Sequence, residues 1–168
     1  MTPRSRSRRA GLDLLRDLDY DGPRVMELDR MVSELFEEEE RAREMARKLM
    51  AMAQRSADEA SAERGSLLAF LRGPMERHMR WEETAIFPHF QARGLAEEVQ
   101  VALKQHADVR EATEALANVA QGGDVAGSIV TVARLLLHHT NFEGDYIYPE
   151  LTRDEWRELM KETVRQGI

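Results

Sequence analysis

The segment His78-Met79-Arg80-Trp81-Glu82-Glu83-Thr84-Ala85-Ile86-Phe87-Pro88 returns 61 residues further on as His139-Thr140-Asn141-Phe142-Glu143-Gly144-Asp145-Tyr146-Ile147-Tyr148-Pro149. His pairs with His, Trp81 with Phe142, Glu82 with Glu143, Ile86 with Ile147, Phe87 with Tyr148 and Pro88 with Pro149. Matching polar, aromatic and proline positions together is much harder to obtain by chance than one isolated His-x3-Glu. Residues i and i+4 lie one above the other on a helix, so each copy presents an imidazole and a carboxylate on one face. That face is the apolar one. His78 and Glu82 continue the line Leu68, Leu71, Met75, with Ala85 beyond, and His139 and Glu143 continue Ile129, Val132, Leu136. An imidazole and an ionised carboxylate in a core are costly unless paired or coordinated. A dication supplies the compensation, and two facing carboxylates can bridge two of them. Helical bundles build di-iron and di-manganese sites from inward-pointing Glu and His in this way.

Working outward, apolar residues recur every three or four positions along four long stretches, the spacing of a helix face. The first runs from about Arg24 to Gln54 through Leu28, Val32, Leu35, Ala42, Ala46, Leu49 and Ala53. The second spans about Ser56 to Gln91, and Gly73-Pro74 inside it predicts a kink or a restart, because proline removes a helix hydrogen bond. The third covers about Ala96 to Ala120 and stops at Gly122-Gly123. The fourth begins at Asp124, a candidate N-cap, and reaches about Leu151. Thr152-Arg153-Asp154-Glu155 reads as a capping box opening a final short helix with Trp156, Leu159 and Met160. Gly11–Tyr20 can form another short helix. The fold expected is therefore all-α: an antiparallel four-helix bundle over residues 11–168 with short extra helices at both ends, preceded by a disordered basic tail over 1–10.

His106 brings a third helix into the candidate site, on the stripe Val99, Ala102, Val109, Thr113, Leu116. The first helix has no histidine, but its apolar stripe is interrupted at Glu39, between Leu35 and Ala42. The other three members of Glu37-Glu38-Glu39-Glu40 read as a solvated acidic face. The competing role for Glu39 is a salt bridge to Arg43 at i+4, and a phase error of one residue would put Glu38 in its place. A buried ring bonded to a neighbour is the simpler reading of any one histidine. Three histidines converging with two core glutamates favour metal. His89, seven residues after Glu82, suits an orienting or capping role better than ligation. His138 points about 100° away from His139 and belongs at the surface. Trp81, Phe142, Phe87 and Tyr148 pack around the site and limit water.

Composition narrows the classes. Of 168 residues, 42% are hydrophobic and 33% charged, with few β-branched runs, which suits a helical domain. The net charge of −7 argues against a nucleic-acid partner, whose phosphates need clustered Lys and Arg. The chain has no cysteine, which excludes disulfides, thiolate zinc sites and cysteine-held iron–sulfur clusters. No apolar run approaches the ~18 residues of a membrane span. Met1–Arg9 is basic without the apolar core of a secretory signal, and a cytoplasmic location is expected.

These motifs resemble the hemerythrin/HHE cation-binding family, over roughly Arg24 to Leu151. Members share a four-helix bundle with a di-iron centre, with His on the first helix, His-x3-Glu on the second, His on the third and His-x3-Glu/Asp on the fourth. The Glu-Glu-x3-Phe-Pro stretch after His78 and the Leu-Lys-Gln-His context of His106 fit that pattern. The resemblance implies His78, His106 and His139 as terminal ligands and Glu82 and Glu143 as bridging carboxylates. With Glu39 standing where the family has its first-helix histidine, the full metal set is Glu39, His78, Glu82, His106, His139 and Glu143. The implied cofactor is two iron ions with an oxo or hydroxo bridge, manganese being possible. The third helix has one histidine, with Arg110 at i+4, whereas oxygen-carrying hemerythrins have two there. That departure is similar to the single-histidine branch, which includes di-iron proteins of iron–sulfur cluster repair, and it makes reversible O2 carriage less expected.

Exchanging an imidazole for the Glu39 carboxylate adds negative charge at one metal and favours its higher oxidation state. A Glu39→His variant is expected to raise the reduction potential; an unchanged or lower potential would sink that idea. Two functional readings follow. One is a redox-active protein acting on a small diatomic or peroxide ligand (O2, NO or peroxide) in stress response or iron handling. The other is a metal- or redox-sensing module without turnover, with the basic tail or final helix as its contact. A metal-free structural bundle is disfavoured because it leaves core His and Glu uncompensated.

Overall fold

The computed structural model describes residues 22–166, with side chains placed from 26 to 165. The basic tail over 1–10 and the short helix expected at Gly11–Tyr20 lie outside them. Six helices follow in order: α1 (Gly22–Arg55), α2 (Ala57–Ala62), α3 (64–92), α4 (Ala96–Ala117), α5 (Val125–Tyr146) and α6 (Arg153–Gln166). Among the described residues there is no strand, and no helix is long and apolar enough to cross a membrane. The long helices α1, α3, α4 and α5 form the bundle, with α5 packed along both α1 and α4.

Local chemistry sets the joints. Ser56 caps α2 by accepting from the Glu59 N–H at 3.2 Å, and Asp124 caps α5 by accepting from the Gly127 N–H at 2.8 Å. At the start of α6 the capping box is complete: Thr152 N–H donates to Glu155 Oε2 at 2.9 Å and Glu155 N–H to Thr152 Oγ1 at 3.3 Å. Two helices end earlier than their periodicity suggests. α4 stops at Ala117 rather than Ala120, and α5 stops at Tyr146 rather than Leu151, giving way to a 3₁₀ turn at Tyr148–Glu150. Pro149 lacks the N–H needed to extend the helix, and the turn is what buries Ile147 and Tyr148.

Within α3, Gly73-Pro74 does not restart the helix, which runs on through it. The proline sits in a π-helical turn at Leu71–Met75, and a second π turn covers Glu82–Ile86. These turns explain which face is buried. A stripe spaced strictly by four drifts by roughly 40° per step around an α-helix, whereas a π turn winds less per residue and draws it back. Leu67, Leu71 and Met75, then His78, Glu82, Ile86 and Phe90, therefore stay on one buried line. Leu68 and Ala85, expected on that line, are only partly buried; Leu67 and Ile86 take their places.

α6 closes one end of the bundle. Trp156, Leu159, Met160 and Thr163 face inward, and Arg153 and Arg157 tie the helix to Asp29 of α1 at 2.7 and 2.6 Å. Trp156 meets Tyr148, Phe36 and Phe90 edge-on, with centroids 5.4, 5.8 and 6.0 Å away, and its indole N–H donates to the Tyr148 carbonyl at 3.3 Å. Trp156→Ala is expected to lower unfolding free energy by about 3–5 kcal/mol in urea titrations, the usual cost of deleting a buried aromatic. A loss below about 1 kcal/mol would show that α6 does not belong to the cooperative core.

Candidate metal centre

The core is apolar in two halves with a polar layer between them. One half gathers Leu28, Leu35, Ile86, Phe87, Phe90, Val99, Ala102, Ile147 and the α6 residues; the other gathers Ala42, Ala46, Leu49, Leu71, Met75, Val109, Leu116, Val132 and Leu136. In every long helix the layer falls where one half hands over to the other. Glu39 lies between Leu35 and Ala42, His106 between Ala102 and Val109, His78 and Glu82 between Met75 and Ile86, and His139 and Glu143 between Leu136 and Ile147. All six are buried, Glu39 to 1% exposure. The structure thus brings every one of the six residues singled out from the sequence into one layer.

They form two overlapping groups. Glu39, His78, Glu82 and Glu143 offer ligand atoms all within 4.8 Å of one another, and so do Glu82, His106, His139 and Glu143. Glu82 and Glu143 belong to both. His78 Nε2 lies 2.9 Å from Glu39 Oε1 and 3.2 Å from Glu82 Oε1. His106 Nε2 lies 3.3 Å from Glu82 Oε2 and 3.5 Å from Glu143 Oε1, and His139 Nε2 is 3.4 Å from Glu143 Oε2. Close as these atoms are, the Nε2 atoms of all three histidines, both oxygens of Glu39 and Glu143, and Glu82 Oε2 are buried without an aligned hydrogen bond. Orphaned buried polar atoms on this scale are rare, since each carries a desolvation cost of about 1–3 kcal/mol. Imidazole nitrogens and carboxylate oxygens turned on two shared foci fit a pair of cations, and that donor set is the one bundles use for them.

A comparison with known families agrees with the geometry. The hemerythrin HHE cation-binding domain model matches residues 30–151. The chain belongs to that family. No curated protein and no solved structure matches it.

In this HHE domain a second ring of side chains fixes the imidazoles. Glu38 Oε2 sits 2.8 Å from His78 Nδ1, and Glu83 Oε1 sits 2.8 Å from His106 Nδ1. Each carboxylate selects the tautomer that keeps Nε2 free to face the layer. Of the acidic run, only Glu37 and Glu40 are exposed; Glu38, expected in solvent, is half-buried against His78. Arg110, one turn after His106, faces away from the layer and donates to Glu83 at 2.7 Å and Glu76 at 2.9 Å, holding the carboxylate that holds His106. Arg43 approaches Glu39 at 3.7 Å, yet its shorter contacts are to Glu40 at 2.7 Å and the Thr140 carbonyl at 2.9 Å. Gly144 makes room for it, since a Cβ there would come within 2.9 Å of Arg43 Nη2. Tyr148 does more than pack: its hydroxyl donates to Glu82 Oε1. His138 is exposed, and His89 packs edge-on to Phe90, away from both groups.

Electrostatics follow from burial and from which rings share carboxylates. Burial alone would lower His78 and His106, but the surrounding glutamates prevail, lifting His78 well above the usual imidazole range and His106 to about 11. His139 has no second-ring carboxylate; burial, with His106 and His78 nearby, lowers it to about 3. Burial also raises Glu143, reinforced by Glu82, while Glu82 is held well below its ordinary value against burial by His78 and His106. Hydrogen bonding to His106, helped by Arg110, holds Glu83 down at about 2 despite partial burial. Before any cation binds, protonated rings offset buried carboxylates.

The donors in the layer had a signal in sequence, namely chemistry on an apolar stripe. Glu38, Glu83 and Arg110 stood out only as neighbours of those donors: each lies off its helix's core line, and only interhelical register shows what it reaches.

Proposed function

We propose that this HHE domain holds a non-haem di-iron centre that is redox active toward O2, NO or peroxide. Glu39, His78, Glu82 and Glu143 would hold one ion, and Glu82, His106, His139 and Glu143 the other. The observation that carries this reading is the sharing of Glu82 and Glu143 by two buried groups whose facing atoms have no hydrogen bond. A nitrogen-and-oxygen donor set without thiolate suits iron and also manganese. When bound, the metal pair supplies one-electron redox chemistry and Lewis acidity at a protected site.

The residues have separable tasks in this reading. His78 and His106 are oriented through Nδ1 by Glu38 and Glu83, and Arg110 keeps Glu83 in place. Tyr148 steadies one oxygen of Glu82 by donating a hydrogen bond. The two apolar halves of the core exclude bulk water from the layer. Arg110, placed where oxygen carriers have a second histidine, is committed to Glu76 and Glu83, which supports the single-histidine branch over O2 carriage.

Metal analysis of the purified protein together with its absorption spectrum tests the proposal. Two irons per chain with ligand-to-iron charge-transfer bands are expected. No bound metal after anaerobic iron loading would refute it. A sensing role is the second reading, favoured by the position of the layer between the two halves of the core, where metal occupancy couples directly to bundle stability. Multiple turnover of peroxide or NO by the reduced protein would select catalysis; a spectral and conformational change without turnover would select sensing.

A further inference from the structure

On the face of the bundle where α1 meets α3, a cleft of about 330 Å³ reaches down to His78. Its apolar lining is Phe70, Pro74 and Met75, the last two presented by the π turn that accommodates the proline. Its polar lining is Glu38, Arg41, Arg77 and His78. Glu38 is already engaged, bonded to His78 Nδ1 at 2.8 Å. The two arginines are not. Among the described residues neither guanidinium has a hydrogen bond or an ion pair, although both act on Glu38 through their fields. Most of the described arginines are paired, including Arg43, Arg72, Arg93, Arg110 and Arg157.

Two unpaired guanidiniums against one carboxylate leave the cleft with a surplus of positive charge in a protein of net charge −7. An apolar wall stands beside that charge, and the volume falls at the small end of the range that ligand sites occupy. Guanidinium groups bind carboxylates through paired N–H donors, and an aliphatic chain is the group that gains from Phe70, Pro74 and Met75. We propose that this cleft is a binding site for a small aliphatic monocarboxylate, its charge held between Arg41 and Arg77 and its chain laid on the π-turn wall. The occupant would sit above Glu38, one hydrogen bond from His78. The binding claim concerns the cleft alone and does not rest on the di-metal reading.

Hexanoate is a suitable probe, titrated calorimetrically into the full chain both metal-free and iron-loaded, with metal content measured on the same samples. Saturable one-to-one binding is expected, with acetate at least about tenfold weaker because it lacks the buried methylenes. Hexanamide should be weaker by about tenfold or more for want of the charge. The Arg41→Gln/Arg77→Gln double variant should lose hexanoate binding while its melting temperature stays unchanged, both side chains being exposed. Hexanoate should also shift the His78 ring resonances in the metal-free protein. Absence of saturable binding, equal binding of acetate and hexanoate, or retention of binding in the double variant would each overturn the proposal. Because the metal-free chain is titrated too, loss of the di-metal reading would leave the hexanoate result standing, and the reverse holds equally.

Discussion

Glu82→Ala is expected to abolish loading of both metal ions, whereas His139→Ala and Glu39→Ala should each cost only one. The difference follows from membership: Glu82 lies in both buried groups, His139 and Glu39 in one each. Glu82 is also the partner that His78 and His106 approach at its two separate oxygens, at 3.2 and 3.3 Å, and the acceptor of the Tyr148 hydroxyl. Removing one member of a buried charged set costs about 3–5 kcal/mol because its partners are left uncompensated, so the metal-free variant should also melt lower. Circular dichroism keeps the two effects apart by showing whether the helices persist. Metal content by plasma emission spectroscopy, with each variant loaded anaerobically and desalted, reads the stoichiometry. A Glu82→Ala protein that is folded and still retains two ions would refute the shared-carboxylate arrangement.

Loading of the metals is expected to release protons and to raise the melting temperature steeply, with opposite pH trends for the metal-free and loaded forms. His78 and His106 are protonated at neutral pH in the metal-free protein, since their carboxylate neighbours outweigh burial. Each must lose that proton before its ring can donate to a cation, so apparent metal affinity climbs with pH. The metal-free form behaves in the contrary sense. Folded-state values raised above the unfolded value of about 6.5 contribute stability that is fully present below 6.5 and is lost as pH rises toward about 11 for His106. His139 acts oppositely, but only between about 3 and 6.5, below the window that matters here. Above pH 6.5 the metal-free Tm should therefore fall as metal affinity increases. At a thousandfold excess over Kd one ion contributes about 4 kcal/mol, or roughly 8–16 °C for a chain of this size. Calorimetry in two buffers of different ionisation enthalpy counts the protons. Loading without proton release at pH 7 would show that the rings are already neutral and that the balance of buried charge is wrong.

What could be read without coordinates was whatever depends on spacing within one helix. The i, i+4 relation puts His78 with Glu82 and His139 with Glu143 on single faces, and the interruption of an apolar stripe marks Glu39 and His106. Spacing misleads where helix geometry itself changes. Spacing puts Leu68 and Ala85 on the buried line in place of Leu67 and Ile86 because each π turn alters the residues per turn, and no residue type announces a π turn as Gly or Pro announces a loop. The end of α5 was misplaced because apolar spacing runs on through Ile147 and Leu151 although the backbone has already tightened into a 3₁₀ turn.

The sequence by itself determined the helical class and the bundle, and marked six candidate donors on apolar stripes with Glu38 left open beside Glu39, because those rest on periodicity and on the cost of burying charge. Only the tertiary structure decided that Glu82 and Glu143 are common to two groups, that Glu38 orients His78 while Glu39 faces the layer, that Arg110 supports Glu83, and that Tyr148 holds Glu82. Those relations run between helices, and the rotation and axial offset of one helix against another come from the packing of both halves of the core, which no single stretch of chain encodes.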